Sequence, residues 1–539
     1  MASPKGKGFP PSLVRTFWEA VTKGIKQELL AAYKSSAFIR TVLVNEFPRL
    51  QHAIRSLIRR LHLATTSTIV SEVTQRPKMS LLAEFDRKDK KAVSTSDASL
   101  NEFFKELDSE SVVGVWERES FARNQNKVVQ NILSSYELSY LKVIITKLND
   151  PISMAFASAG RGRYPSEAEG EIFLNAVENT LRGVTVSGEE LKLQVANRIK
   201  QAVNLLVAKA EEHAELKVTS KPVPRKNKSL YKLLAVVDKG LSVLLQTESS
   251  GSNSKANSNI ELCNRSKQHI QQALRSTTNL RRILLDVIFD KANAQAQTLM
   301  QQVHTESFSR PQQNKLTSKY MRNVQRWSDT FARDMIPQYK PNSASAAVIL
   351  ELQGLCLRVA LCISDAFIHN ISLISGLRED AKLAIASDIA HLQASLHLLA
   401  PKHNFATPPR CYSDLRQLRQ LLFLDDRAIV EKSLSSSLSP VVIAQFLLSR
   451  MSNRAVPISC VPFKVLGTSV GKYNRWVDQH SKVDVLQRFL TLIGEIRDKM
   501  QKGRALSSES LGQANKSLDL VADFVNNARS APEAAQSVS

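Results

Sequence analysis

Apolar residues recur along this chain at every third or fourth position, and runs of strict apolar–polar alternation do not recur. Leu43, Phe47, Leu50, Ile54, Leu57 and Leu61 step by four or three, which lays one stripe along a helix. Leu191, Val195, Ile199, Val203 and Leu206 form a second stripe, Leu280, Ile283, Leu284, Val287 and Ile288 a third, and Leu486, Phe489, Ile493 and Ile496 the last. Punctuation sits between the stripes. Pro48 interrupts the segment Leu13–Leu61 and marks a break, with proline in the first turn of a second helix, where its missing N–H costs little. Asp150-Pro151 predicts a helix stop, because the residue before proline resists the helical conformation. Ser166 with Glu169, and Ser187 with Glu190, fit the capping box in which serine and glutamate satisfy free backbone donors reciprocally. Ser439-Pro440 begins another helix, with serine as its cap.

These signals predict helices at Val128–Leu148, Ser229–Leu245, about Ile260–His304, Lys315–Met335, Ala344–Ile374, Glu379–Leu399 and Ser413–Phe423. Loops or linkers are expected at Ser67–Ser99, Val218–Lys228 and Thr247–Asn259, where the rhythm fails and charged, Pro or Ser/Gly/Asn residues gather. The chain then divides into an N-terminal helical segment (1–65), a loop or linker with short helices (66–127), a helical bundle (128–217), a linker with one short helix (218–259), a long-helix bundle (260–400) and a C-terminal helical bundle (401–539). No fixed-period repeat and no sustained heptad is visible, so a regular solenoid and a simple coiled coil are disfavoured. The expectation is an all-α fold: an elongated rod of successive helical bundles.

Composition agrees with helix. Over 539 residues there are only 18 Gly and 19 Pro, and aromatic residues make up 6%. Five cysteines, none in Cys-x-x-Cys spacing, argue against a disulfide framework or zinc site and for a reducing compartment. The start of the chain does not resemble a secretory signal. The most apolar stretch, Ala346–Ile374, carries Glu351, Arg358, Asp365 and His369, which points to a buried helix and away from a transmembrane one. The formal charge of +23 suits an anionic membrane surface, nucleic acid or simply a basic solvated surface. Lys and Arg are scattered, with local knots at Arg87–Lys91 and Lys221–Lys228, and no block is interleaved with aromatics.

No motif carries chemistry. Gly467-Thr-Ser-Val-Gly471-Lys472-Tyr473 has one residue too few between its glycines for a phosphate loop, and Tyr where Ser or Thr would hold magnesium. His391 and His397 lie on different helix faces. Gly160-Arg-Gly162 lacks the strand–turn–helix context of a dinucleotide site, and no nucleophile elbow is present. No catalytic, cofactor-binding or metal-ligating residue is assigned, and no cofactor is expected. Long striped helices without chemistry describe a scaffold.

Several segments, in order, resemble one family. They are Phe17-Trp-Glu-Ala-Val-Thr22 and Glu46-Phe-Pro-Arg-Leu50; Ser135–Leu141 leading to Asp150-Pro-Ile152; Ser229-Leu-Tyr-Lys-Leu233; Glu351-Leu-Gln-Gly354; Ala386–Leu396; Tyr412–Phe423; Val442–Arg450; and Tyr473-Asn-Arg-Trp-Val-Asp478. Together they resemble the conserved oligomeric Golgi complex subunit 5 family in its C-terminal half; the family's N-terminal helices find no counterpart. The resemblance implies a non-catalytic, peripheral subunit of a vesicle tether on the cytosolic face of the Golgi membrane, capturing retrograde intra-Golgi vesicles. It implies other subunits of that complex as partners, subunit 7 above all, with vesicle fusion machinery a further partner and nucleic acid none. Competing readings are a subunit of another helical-rod tether, such as the exocyst, and a basic helical nucleic-acid-binding protein. Val442, Phe446 and Leu447 are expected in the core. Tyr473 and Trp476, set among Arg475 and Asp478, are the candidate partner-binding residues, as half-exposed aromatics in a polar surround serve as anchors, with core packing the competing reading for Trp476.

Overall fold

The stripes become helices, and no strand occurs among the described residues, so the all-α class holds. The structure, a computed structural model, describes residues 13–75, 113–157, 163–185, 187–216, 225–246, 264–306, 317–401, 407–433, 437–451, 459–502 and 508–530. The expected loop at Thr247–Asn259, the Gly160–Gly162 turn and the charged run Asp86–Lys91 lie outside them. The chain forms two compact units, one of residues 1–212 with 237–278, the other of 213–236 with 279–539.

In the first unit α1 (Leu13–Ser35) and α2 (Ala37–Asn45) are separated at Ser36, whose hydroxyl accepts the Phe38 N–H at 3.2 Å and caps α2. The chain turns again at Glu46 and enters α3 (Phe47–Gln75) with Pro48 in its first turn, as the sequence predicts. The buried face of α3 is Phe47, Gln51, Ile54 and Ile58, while the stripe position Leu57 is exposed. α3 runs on to Gln75, so the loop expected from Ser67 does not begin there. A helix already nucleated by packing extends at little further cost, even through Thr and Ser.

α4 (Val113–Ala157) begins before the expected Val128 and contains Pro151, which does not stop it. The local penalty of an internal proline is about 3 kcal/mol. Leu148, Ile152, Ala155 and Phe156 continue the buried face across it, and each large apolar side chain so buried contributes roughly 1.5–3 kcal/mol. Packing therefore wins. α5 (Glu167–Gly183) starts on the predicted capping box, the Glu169 carboxylate accepting the Ser166 N–H at 2.9 Å. α6 (Glu189–His213) does not start on Ser187. The Ser187 N–H is taken by Val184 in the turn closing α5, and Gly188 stands at the cap, its carbonyl accepting from Lys192. A Cβ there would lie 2.0 Å from the Arg55 guanidinium, so any larger residue would require that side chain to move aside. The predicted stripe of α6, Leu191 to Leu206, is wholly buried.

α7 (Arg225–Gln246) and α8 (Asn264–Gln301) divide between the units; α7 starts inside the expected linker Val218–Lys228. In the second unit Arg281 of α8 pairs with Glu351 at 2.9 Å, and the Tyr231 hydroxyl of α7 donates to the same carboxylate at 3.1 Å. Glu351 belongs to α10 (Ala346–Ser372), which follows α9 (Lys319–Thr330) and short π and 3-10 turns. α11 is Glu379–Leu399, α12 Arg410–Leu421, α13 Asp426–Ser433, α14 Pro440–Met451, α15 Pro462–Val465, α16 Val470–Gln479, α17 Lys482–Lys502 and α18 Ser508–Ser530. By length and composition α10 alone among the described residues could cross a membrane; here Val348, Leu355, Val359, Ile363, Phe367 and Ile371 are buried, and the helix packs on α12 and α14. α14 packs also on α17 and α18, with Ile443 to Met451 all buried.

Candidate partner-binding site

The turn between α15 and α16 requires Gly467, whose φ of 63° is costly for any residue with a Cβ. α16 then begins on Ser469, whose carbonyl accepts the Tyr473 N–H at 2.9 Å. A four-residue helix and a glycine turn precede it, not the strand of a phosphate loop.

Tyr473 points into the core, 1% exposed. Its hydroxyl accepts from Gln445 Nε2 of α14 at 2.7 Å, and Gln445 Oε1 accepts the Ser372 hydroxyl of α10 at 3.0 Å. Beside it, His369 Nε2 donates to Asn474 Oδ1 at 3.0 Å, and the His369 ring stacks on Tyr473 with centroids 6.1 Å apart. Asn370 Oδ1 accepts from His304 Nε2 at 3.2 Å and Asn474 Nδ2 at 3.4 Å, while Asn370 Nδ2 donates to Ala366 O at 2.7 Å. A connected polar network thus joins α10, α14, α16 and the 3-10 turn after α8. Burial pushes His369 down to about 4 against the opposing pull of its Asn474 hydrogen bond, and burial likewise lowers His304. Both rings are neutral near pH 7. Burial also lifts the Tyr473 phenol far above its ordinary range.

Trp476 lies one helical turn from Tyr473 and on the rim of the same core. It is half-buried, with its ring 6.1 Å from Tyr473 and 4.8 Å from His480. With Leu466, Thr468, Lys472, Tyr473 and Arg488 it lines a pocket of about 300 Å³. Of the two candidate aromatics, Tyr473 therefore supports the pocket floor and Trp476 presents an aromatic surface at its edge. Lys472 and Arg488 add positive charge; Arg488 also pairs with Glu495 at 3.3 Å. Such a pocket suits an apolar side chain with a carboxylate nearby. Phe446 and Leu447 are core, as expected, and Val442 is half-buried. His391 bonds to Thr317 at 3.0 Å, and among the described residues no group of three or more His, Cys, Asp or Glu side chains is placed to hold a metal.

The family model described as Conserved oligomeric Golgi complex subunit 5, C-terminal, matches residues 1–58. The mouse Conserved oligomeric Golgi complex subunit 5 is 22% identical over 509 residues, covering 92% of this chain and 55% of its own length. The Arabidopsis thaliana protein of the same name is 19% identical over 469 residues, covering 86% of this chain and 49% of its own. This chain is similar to conserved oligomeric Golgi complex subunit 5 over most of its length. It spans about half the length of these subunit 5 relatives. No solved structure matches it. The residues matched by the subunit 5 family model take in α2 and the packed first part of α3.

The polar network behind Tyr473 was not anticipated from sequence. Its signal is present all the same: Gln445 interrupts the apolar run of α14, and His369-Asn370 interrupts that of α10. A polar residue in an otherwise apolar helix must find a partner or lose its place in the core.

Proposed function

We propose that this chain is a non-catalytic scaffold subunit of the Golgi vesicle-tethering complex, acting on the cytosolic face of the Golgi membrane in the capture of retrograde intra-Golgi vesicles. The observation that carries this reading is the similarity to subunit 5 of mouse and Arabidopsis across 92% and 86% of the chain. The all-helical build supports it, since helical bundles present long side faces to neighbours. Its partners are other subunits of the complex, with subunit 7 bound at the pocket edged by Trp476.

Affinity purification of the tagged chain from cell lysate tests the reading. Other subunits of the Golgi complex should co-elute; exocyst subunits or nucleic acid in their place would overturn it. The finer assignment is tested by Trp476→Ala. An interface aromatic of this kind contributes about 2 kcal/mol, so affinity for subunit 7 should drop roughly thirty-fold. Helicity should stay unchanged, because the ring is only half-buried.

A further inference from the structure

The α1–α2 corner carries apolar side chains that the described residues of the first unit leave largely uncovered. On α2, Phe38 is 76% exposed, Val42 one turn later 40%, and Ile39 beside them 36%. Their outward direction is held by the backbone. The Ser36 cap fixes the start of α2, and Arg40 Nε donates to the Tyr33 carbonyl at 3.5 Å while its guanidinium sits 5.2 Å over the Tyr33 ring. The α1–α2 angle is thereby pinned, and Phe38 stands out at the turn.

The charge along this corner is mainly positive. From Leu29 to Asn45 there is no acidic residue, while Lys34 and Arg40 are exposed there, and Lys26 and Lys23 are exposed about two and three turns before Lys34 on α1. Glu28 and Glu46 flank the stretch, and Glu46 is paired with Arg49 at 2.9 Å. The corner is a compact apolar tip with cations behind it. Large apolar side chains that enter the acyl boundary, backed by Lys and Arg at headgroup level, are the chemistry that holds a peripheral protein on an anionic bilayer.

We propose that the α1–α2 corner inserts Phe38, Ile39 and Val42 into the interface of an anionic phospholipid membrane, with Lys34, Arg40, Lys23 and Lys26 facing the headgroups. The proposal deepens the peripheral-membrane part of the function above. It fails or stands on purified protein and lipid alone, whereas the tether assignment fails or stands on which subunits co-elute.

The test is co-sedimentation of the whole chain with vesicles of phosphatidylcholine, or of phosphatidylcholine with phosphatidylserine, at low and high salt. The chain should bind the phosphatidylserine vesicles, and binding should weaken with salt, since exposed charges are screened within about 10 Å at about 0.1 M. The double variant Phe38→Ser with Ile39→Ser should bind them at least about ten-fold more weakly, as lost insertion dictates, with an unchanged circular dichroism melt. The Phe38→Trp variant should retain binding and show a blue shift in emission, relative to the native chain, only with phosphatidylserine vesicles. If the double variant melts early, the Phe38→Trp emission decides. Absence of vesicle binding, binding that ignores phosphatidylserine, or a double variant that binds as tightly as the native chain would overturn the proposal. So would a double variant that keeps vesicle binding but loses a tether subunit, which would make the corner a protein interface.

Discussion

α2 and α14 are both short and apolar, yet in α2 only Val44 is fully buried, whereas in α14 every residue from Ile443 to Met451 is. The neighbours make the difference. α14 is packed by α10, α13, α15, α17 and α18; α2 is packed by α1, α3 and α4 on one side. The contrast runs further in the polar residues. α14 takes Gln445 and Arg450 into the core and satisfies them, Arg450 Nη1 donating to the Leu421 carbonyl at 3.3 Å and Nε pairing with Asp426 at 3.4 Å. α2 leaves Phe38 in solvent. Apolar content by itself does not say which side of the surface a helix belongs to. A buried polar group with partners, or an exposed aromatic without them, carries the information.

The sharpest way to break this comparison is to truncate one phenylalanine in each helix. Phe446→Ala should destabilise the second unit by about 4 kcal/mol, the usual loss for a buried aromatic. Phe38→Ala should change stability by less than about 0.5 kcal/mol, as for other surface sites. Urea unfolding followed by circular dichroism measures both, and equal effects would erase the distinction. A smaller effect should follow Gln445→Leu, which matches the site in volume but strands the Tyr473 hydroxyl, while the Ser372 hydroxyl keeps the His369 carbonyl at 2.7 Å. A loss of about 2 kcal/mol is expected from the unsatisfied phenol; a neutral outcome would mean the network contributes little.

A further modest effect is expected in pH. His369 is held neutral, its folded pKa about 4 against an ordinary 6.5. Below 6.5 the unfolded chain therefore binds a proton that the folded chain refuses. Stability is full above about 6.5 and falls as the pH drops towards 4, by something on the order of 1–2 kcal/mol once screening at the half-buried ring is allowed for. Thermal melts of the native chain and of His369→Gln across that range should diverge in slope, the variant being flatter.

Much of the helix map was legible from the 3.6-residue period. α11 is where the stripe and its flanks place it, and α10 agrees to within two residues at each end. Pro151 misleads because proline is a local signal and the packing that overrides it is not local. Ser187 misleads because its N–H was already engaged by the preceding helix, which a four-residue motif cannot reveal. α18 escaped notice because its buried face, Ala514, Leu518, Val521 and Val525, includes small residues whose periodicity is faint. At the candidate site, the nearness of Tyr473 to Trp476 is plain from a spacing of one helical turn. The division of labour between them is not, because Tyr473 is drawn inward by a glutamine on another helix.

α14 has one further property. A helix that is apolar around most of its circumference has no stripe to fix its rotation, and could slide or turn among its neighbours with little change in buried area. Here the alignment is fixed by hydrogen bonds. A shift of one turn, about 5.4 Å, would part Gln445 from both Tyr473 and Ser372, and Arg450 from Leu421 and Asp426. Each misregistered arrangement thus leaves several polar groups dry and unpaired, at about 1–3 kcal/mol apiece. Greasy burial alone would admit a family of near-equal packings; these few bonds reduce it to one.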